Sequence, residues 1–354
     1  MKNLIIDNII FSLQKSGGIS VVWYELLNRL LKESGICNQL RFIEYLDASN
    51  NIFRKELDLP SDKMEVYSND WLKIKRYLNP NIEYKKNDIF HSSYYRILDG
   101  ARNVTTVHDF TYEYYMKGIK QKLHVWQKKH AIINSEKVIC VSENTRNDLL
   151  CFIPEVNPDK IEVIYNGVNE DYYKLTDKVK IKDIPYEIGE YILFVGDRFS
   201  EYKQFKLAVE VIKKINRPLV IVGKALQEKE LLLLEGMEYR VLSGISSAVL
   251  NVLYNNAHCL LYPSLYEGFG IPVIEAQKAG CPVIAGANSS IVEVIGEGGV
   301  ALQQLDVSTI VDAVKFLDKG NYRNDVIKKG IDNAKRFSWD ITYKKTLDVY
   351  TSLM

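Results

Sequence analysis

Short apolar runs that recur between stretches of helix length constrain this 354-residue chain more than any other feature. In the first half they are LII (4–6), LRFIEYL (40–46), DIFHSS (88–93), VTTV (104–107), KVICV (137–141) and IEVIY (161–165). In the second half they are YILFV (191–195), PLVIV (218–222), YRVL (239–242), CLLY (259–262), PVIA (282–285) and GVAL (299–302). Runs this short, rich in Val and Ile and bounded by Gly, Pro or Ser, suit strands buried on both faces of a parallel sheet. The stretches between them are mostly long enough for crossover helices. The pattern predicts an α/β chain with two open sheets. It breaks once, at 169–190, a polar stretch without apolar periodicity that follows the turn signal Asn166-Gly167. That stretch is expected to link a first domain, 1–168, to a second, 191–337. The tail returns to helical spacing, with Tyr343, Leu347, Tyr350 and Met354 on roughly one face.

Composition narrows the function. Lys plus Arg number 46 against 45 Asp plus Glu, a net charge of +1, so no overall nucleic-acid footprint is present. No stretch approaches the ~18 apolar residues that span a bilayer. The opening MKNLIIDNII is too short an apolar run for a secretion signal. The five cysteines are widely spaced and form no CxxC pair, which argues against a zinc site or a disulfide framework. Cys140 and Cys259 lie inside apolar runs and read as small core residues. A reduced cytoplasmic protein is expected.

Four segments carry candidate chemistry. SLYEGFGIPVIEAQKAG (264–280) reads as a strand end, a glycine turn at Gly268 and Gly270, and a helix with Pro272 at its first position and Gly280 past its end. Unclaimed N–H groups around Gly270 and Ile271 would suit a phosphate. Glu267 and Glu275 would repel that phosphate unless they bind hydroxyls. The bland alternative is a solvated Glu267 and a Glu275 that complements the helix dipole. In YILFVGDRFSEYKQFKLAVEVI (191–212), a strand ends at Gly196 and two cations, Arg198 and Lys203, follow where open sheets bind ligands. They suit phosphate, or they are solvated loop charges. Gly17-Gly18 opens a helix and permits close backbone approach, or is a simple turn. His108 and Asp109 fall at the carboxyl end of VTTV, where they face a cleft or serve structure alone.

Together these segments resemble the retaining glycosyltransferases of family 4. These have the GT-B fold, two Rossmann-like domains whose sheets face across a cleft, with a C-terminal helix crossing back to the first domain. Residues 264–280 resemble the family's E-x7-E motif, and AHCLLYPS (257–264) and CPVIAGANSSIVEVIGEGGVAL (281–302) resemble its flanks. The resemblance implies that Glu267 contacts the transferred sugar and Glu275 the donor's ribose. It implies that the backbone at Phe269, Gly270 and Ile271 holds the diphosphate. Segment 191–212 resembles the family's Gly-x-Arg-x4-Lys element, whose Arg and Lys, here Arg198 and Lys203 after Gly196, grip that diphosphate. The local wording FSEYKQF departs from the commoner one, although the cation spacing holds. By the same resemblance Gly17 and Gly18 face the donor phosphates, His108 lies against the donor sugar and Asp109 near the acceptor hydroxyl. CVSENTRNDLL (140–150), with Ser142 as a helix cap, and FSWDITYKKTLDVY (337–350) support the match. The likeness is strongest over 191–302 and diffuse over 30–100, as expected where acceptors bind.

The implied reaction moves a hexose from a nucleoside-diphosphate sugar to an acceptor hydroxyl with retention, in surface polysaccharide or glycoconjugate synthesis. GDP-mannose and UDP-linked hexoses are the leading donors, and a glycan or lipid-linked molecule is the acceptor. No DxD-type metal element is found, so the cations and amides are expected to serve without a metal or other cofactor. MKGIKQKLHVWQKKHAII (116–133) carries five lysines among apolar residues. It reads either as a helix lying on an anionic membrane, at the inner face, or as a solvated helix with one buried face. An oxidoreductase on the same sheets is disfavoured, because no GxGxxG fingerprint is present.

Overall fold

Every apolar run named above forms a strand in the computed structural model, which describes residues 2–177 and 179–354. The chain forms two units. One comprises Met1–Gly167 and Trp339–Met354, the other Val168–Ser338.

The first unit holds a seven-stranded sheet: β1 (Leu4–Asp7), β2 (Leu40–Tyr45), β3 (Met64–Tyr67), β4 (Ile89–Ser92), β5 (Arg102–Val107), β6 (Lys137–Cys140) and β7 (Ile161–Val163). The order is β3-β2-β1-β4-β5-β6-β7, and every pair is parallel. Strand β3 escapes the sequence pattern because it is an edge strand with no fully buried residue. Alternation divides the side chains of the central strands between two cores. Leu4, Ile6, Phe42 and Ile89 pack with Trp23, Leu27 and Leu30 of helix Gly18–Leu30, and with Tyr350 and Leu353 of helix Trp339–Leu353. Ile5, Ile43 and Phe90 pack on the other side. The last helix is thus part of the first unit, and Met354 lies beyond its end and is exposed.

A buried ion pair braces the place where the strand order reverses. Asp7, at the end of β1, accepts from Arg96 Nη2 at 2.7 Å and Nε at 2.8 Å, and from Ser92 Oγ at 2.6 Å. Arg96 Nη1 donates to the Tyr45 hydroxyl at 2.8 Å. Both charges are almost completely buried. A fully bonded pair of this kind adds little net stability, but losing either partner strands the other charge.

The second unit holds β8 (Ile192–Val195), β9 (Leu219–Val222), β10 (Tyr239–Leu242), β11 (Cys259–Tyr262), β12 (Val283–Gly286) and β13 (Val300–Leu302). The order is β10-β9-β8-β11-β12-β13, again all parallel, so the two sheets share one winding pattern. Helix Phe205–Ile215 buries Phe205, Ala208, Val209, Val211 and Ile212 against the sheet.

Residues 169–190, expected as an interdomain connection, belong to the second unit. Asn251 and Asn255, one turn apart on helix Ser247–Asn256, accept from the backbone N–H groups of Tyr173 at 3.1 Å and Leu175 at 2.8 Å. Lys278 pairs with Glu170 at 2.7 Å, and Tyr172 and Ile184 are buried. The stretch lacks apolar periodicity because side-chain amides and single anchors hold it, not a continuous apolar face. Among the described residues no helix is long and apolar enough to cross a membrane. Cys140 and Cys259 are buried free thiols.

Candidate active site

In open parallel sheets the ligand crevice lies beyond the carboxyl ends of the strands where the order reverses. In the second unit that point falls between β8 and β11. The loop leaving β8 starts at Gly196, whose φ of +130° favours glycine. It ends in a single turn at Glu201–Lys203. The loop leaving β11 carries Glu267. The two loops are tied by the Leu265 N–H bonding to the Tyr202 carbonyl at 2.8 Å, and Lys203 Nζ meets Glu267 Oε1 at 2.5 Å. Burial disfavours the Lys203 charge, but the Glu267 carboxylate and the adjacent Tyr262 and Tyr202 outweigh it and raise its pKa. Lys203 is therefore a fixed cation. The loop after β12 braces this arrangement. Ser289 Oγ accepts from the Glu267 N–H at 3.0 Å, and Ser290 Oγ donates to the carbonyls of Glu267 at 2.8 Å and Phe269 at 3.0 Å.

Gly270 caps helix Ile271–Lys278 with φ +100°, and a Cβ there would lie 2.7 Å from Ile291 Cδ1. Conformation and space both require glycine at this position. Gly270 has no side chain to cap the helix start, and the N-terminal amides of Gly270 and Ile271, at the positive end of the helix, follow Glu267 by three and four residues. Pro272 is the second helical residue, one place later than its spacing suggested. Phe269 is buried, packed edge-on against Phe337. Glu275 sits further along the same helix. Burial pushes its pKa up to about 7, and hydrogen bonds from Tyr254 and Tyr172 oppose the rise.

Arg198 takes a different direction. Its side chain is fully buried, with Nε on Glu230 Oε1 at 2.6 Å and Nη2 on the Lys224 carbonyl at 2.6 Å. Nη1 is buried with no partner among the described atoms. Glu230 also accepts from the Gln227 N–H at 2.8 Å at the start of helix Glu228–Leu233. Sequence reasoning missed Glu230, because nothing in a run of alternating charge marks the one carboxylate that turns inward.

In the first unit a cavity of about 280 Å³ opens beside the reversal between β1 and β4. His108 and Asp109 line it, and so do Arg76, Ser93, Tyr94, Tyr95, Tyr112 and His124, which the sequence did not single out. Tyr94 and Tyr95 follow β4 directly, a position that was legible. The inward turn of His124 on a basic helix was not. Tyr112 stacks on His124 with ring centroids 3.8 Å apart, the Tyr94 hydroxyl meets His124 Nδ1 at 2.8 Å, and Arg76 bonds to the same hydroxyl. Buried Lys128 donates to the Asp109 carbonyl at 2.9 Å and to Glu113 at 2.8 Å. Burial lowers the His108 pKa to about 4, with Lys128 adding to the effect and Asp109 opposing it. His108 is therefore neutral at pH 7. Burial alone would raise Asp109, but Lys128 and the Thr111 N–H hold it below its ordinary value as a carboxylate. Gly17 and Gly18 start helix Gly18–Leu30 between Gln14 and Ile19 of the cavity wall. Gly17 is extended, with no conformational need for glycine. Below His108, the His91 ring joins the Tyr350 hydroxyl at 2.6 Å to Thr106 Oγ1 at 2.9 Å.

Comparison with known proteins gives this arrangement a class. Residues 16–172 match the family described as Glycosyltransferase Family 4, and residues 177–333 match Glycosyl transferases group 1. The chain is 26% identical over 291 residues to O-antigen chain mannosyltransferase B of Escherichia coli, covering 76% of this chain and 75% of that protein. It is 28% identical to O-antigen chain mannosyltransferase RfbU of Salmonella typhimurium over 249 residues, 66% of this chain and 68% of the other. In fold it is similar to sucrose-phosphate synthase from Thermosynechococcus elongatus, with a TM-score of 0.77, 17% identity and coverage of 100% and 99%. It is also similar to Anabaena Alr3699/HepE, solved with UDP and glucose, with a TM-score of 0.74, 14% identity and coverage of 99% and 100%. Two parallel sheets of this winding define a GT-B fold. The chain belongs to the glycosyltransferases of family 4.

Proposed function

We propose that this glycosyltransferase transfers a hexose, with retention and without a metal, from GDP-mannose or a UDP-hexose to a glycan or lipid-linked acceptor in surface polysaccharide synthesis. The observation that carries the donor assignment is the Lys203–Glu267 pair beside the uncapped start of helix Ile271–Lys278. Departure of the nucleoside diphosphate builds negative charge on its β-phosphate. A fixed cation and preorganised amides stabilise that charge without reorganising. Glu267, braced by Ser289 and Ser290, takes a hydroxyl of the sugar, and Glu275 takes the ribose. Arg198 holds its loop through Glu230 and the Lys224 carbonyl, which leaves only its buried Nη1 for a phosphate unless it exchanges a partner. Asp109 orients the acceptor hydroxyl, and neutral His108 offers hydrogen bonds to the sugar without adding charge. The departing phosphate oxygen takes the acceptor's proton, so attack and departure share one face and configuration is retained. The mannosyl relatives favour GDP-mannose, and the UDP-bound Anabaena structure favours a UDP donor.

A thermal-shift screen of UDP, GDP, dTDP, ADP and NAD in EDTA tests the donor class. A ligand at ~100 times its dissociation constant adds about 2.7 kcal/mol of stability. Stabilisation by one nucleoside diphosphate in EDTA is the expected result. Stabilisation by NAD alone, or by a diphosphate only with divalent metal restored, would sink the corresponding part of the proposal.

Peripheral membrane contact is part of the same proposal, through an inverted helix. In Ile119–Ile133 the buried side includes His124, Gln127 and Lys128, whereas Ile119 is 86% exposed and Trp126 59%. Tyr114, Tyr115 and Met116 continue the exposed apolar surface, which Lys117, Lys120 and Lys122 border. Of the five lysines, Lys128 is internal and does not contribute. Apolar groups flanked by cations suit an anionic lipid surface at the cytoplasmic face. Co-sedimentation with vesicles containing phosphatidylglycerol should be lost in Ile119→Ser/Trp126→Ser. Equal pelleting of that variant, or equal binding to neutral vesicles, would refute it.

A further inference from the structure

Glu275 lies on helix Ile271–Lys278, beyond its first turn. Its carboxylate is half-buried and lacks a neighbouring cation among the groups that shift it. Two tyrosines reach it. The Tyr254 hydroxyl, on helix Ser247–Asn256, donates to Glu275 Oε2 at 3.0 Å. Tyr172 backs Tyr254 with its ring, and its hydroxyl favours the charged form of the same carboxylate. Both rings are buried, Tyr254 completely, and they meet edge to face with centroids 5.9 Å apart. Tyr172 comes from the stretch whose sequence looks like a connection. Its place is set by the strapping of that stretch: Tyr173 and Leu175 on Asn251 and Asn255, Glu170 on Lys278, and Asp171 on the Ser247 hydroxyl.

We propose that Tyr172 and Tyr254 are positioning residues for donor binding, clamping the Glu275 carboxylate in the one orientation that accepts hydrogen bonds from the donor's ribose hydroxyls. The physical need is clear. A carboxylate held away from water without a cation is costly unless hydrogen bonds satisfy it, and a fixed phenol donor backed by a second ring leaves it few rotamers. Glu275 then meets the ribose already oriented, and little ordering remains to be done on binding. The stretch 169–175 is by this argument a structural part of the donor site, and the strap is what delivers Tyr172. The inference rests on the reading of Glu275 as the ribose contact.

The test uses the full chain. Binding of UDP and GDP, and of their 2′,3′-dideoxy counterparts, is measured by calorimetry for wild type, Tyr172→Phe, Tyr254→Phe and Glu275→Gln. Kinetics with the matching donor accompany it, and melting curves report folding. For whichever diphosphate the wild type binds, each phenylalanine variant should weaken the ribose form about tenfold and the dideoxy form hardly at all. KM for the donor should rise with kcat within about twofold. Equal weakening of both nucleotide forms, or a fall in kcat at constant KM, would overturn the clamp in favour of a merely structural role. Unchanged affinity in both variants would overturn it too. If wild type itself does not distinguish ribose from dideoxyribose and Glu275→Gln binds normally, the ribose reading of Glu275 fails first, and the clamp falls with it. Should Tyr254→Phe melt early, the more peripheral Tyr172→Phe still decides the matter.

Discussion

Lys203→Ala is expected to lower kcat/KM by two to three orders of magnitude, with most of the loss in kcat. Removing one preorganised group from a site of developing charge costs on that scale. Two features make Lys203 the residue with the largest expected effect. Its charge is fixed by Glu267 at 2.5 Å, so no titration near neutrality can replace it. Its removal also leaves the Glu267 carboxylate without its cation, and at the proposed diphosphate position attraction would become repulsion. Both side chains keep some exposure, 16% and 11%, so the fold should survive the change. Steady-state kinetics with the donor found by the ligand screen, alongside a melting curve, checks this. A variant that keeps kcat/KM within threefold of wild type would remove Lys203 from the mechanism. Lys203→Arg should recover only part of the loss, because a planar guanidinium cannot take the place of a compact ammonium against the same carboxylate.

The second large effect is on stability and is read by pH. Burial lowers the pKa of His91 to about 3, with the charge of His108 contributing. Burial also lowers that of His124 to about 3, with Lys128 and Arg76 contributing and Asp109 opposing. In the unfolded chain both titrate near 6.5. Below that pH the unfolded state binds protons that the folded state refuses, so the stabilising balance is complete above pH 6.5 and is lost as pH falls toward 3. Two such protons give a slope of about 2.7 kcal/mol per pH unit within the window. His108, lowered to about 4, acts in the same direction, and Glu275, raised to about 7, opposes it by about one proton between its unfolded value and pH 7, so the slope stays near that of His91 and His124. Urea midpoints at pH 7.5, 6.0 and 5.0 should fall steeply across the series, and His91→Gln should flatten the slope by about one proton. A midpoint that is constant between pH 7 and 5 would show that these rings are not buried as neutral groups. An uncharged His91 bridging Tyr350 and Thr106 also keeps a positive charge away from the neutral His108.

Arg198 fixes the loop after β8. Its guanidinium joins the loop after β8 to Glu230 and to the carbonyl of Lys224, just beyond β9. Gly223 leaves room for it, since a Cβ there would lie 2.7 Å from Nη1. The resemblance placed Arg198 and Lys203 in one role. The fold gives them different partners, and only Lys203 sits with Glu267.

Most of the architecture was legible from sequence. Buried parallel strands must be apolar on both faces, so each central strand announced itself as a short Val/Ile run. The glycine turn at 268–270 was equally plain, because Gly270 is required by both conformation and space. Ser142 was read as a cap, and its hydroxyl accepts from the Thr145 N–H at 3.0 Å. These are local facts, carried by periodicity, backbone sterics and single hydrogen bonds within a few residues. Tertiary structure alone decided the rest. It added β3, an edge strand whose half-exposed side chains carry no pattern. It turned His124 and Lys128 inward and Ile119 and Trp126 outward on one helix. It strapped 169–175 to the second unit and brought Tyr172 to Glu275, a hundred residues further along. Each of these depends on which distant group supplies a hydrogen bond or a counter-charge, and that is set by packing between elements, beyond the reach of any local pattern.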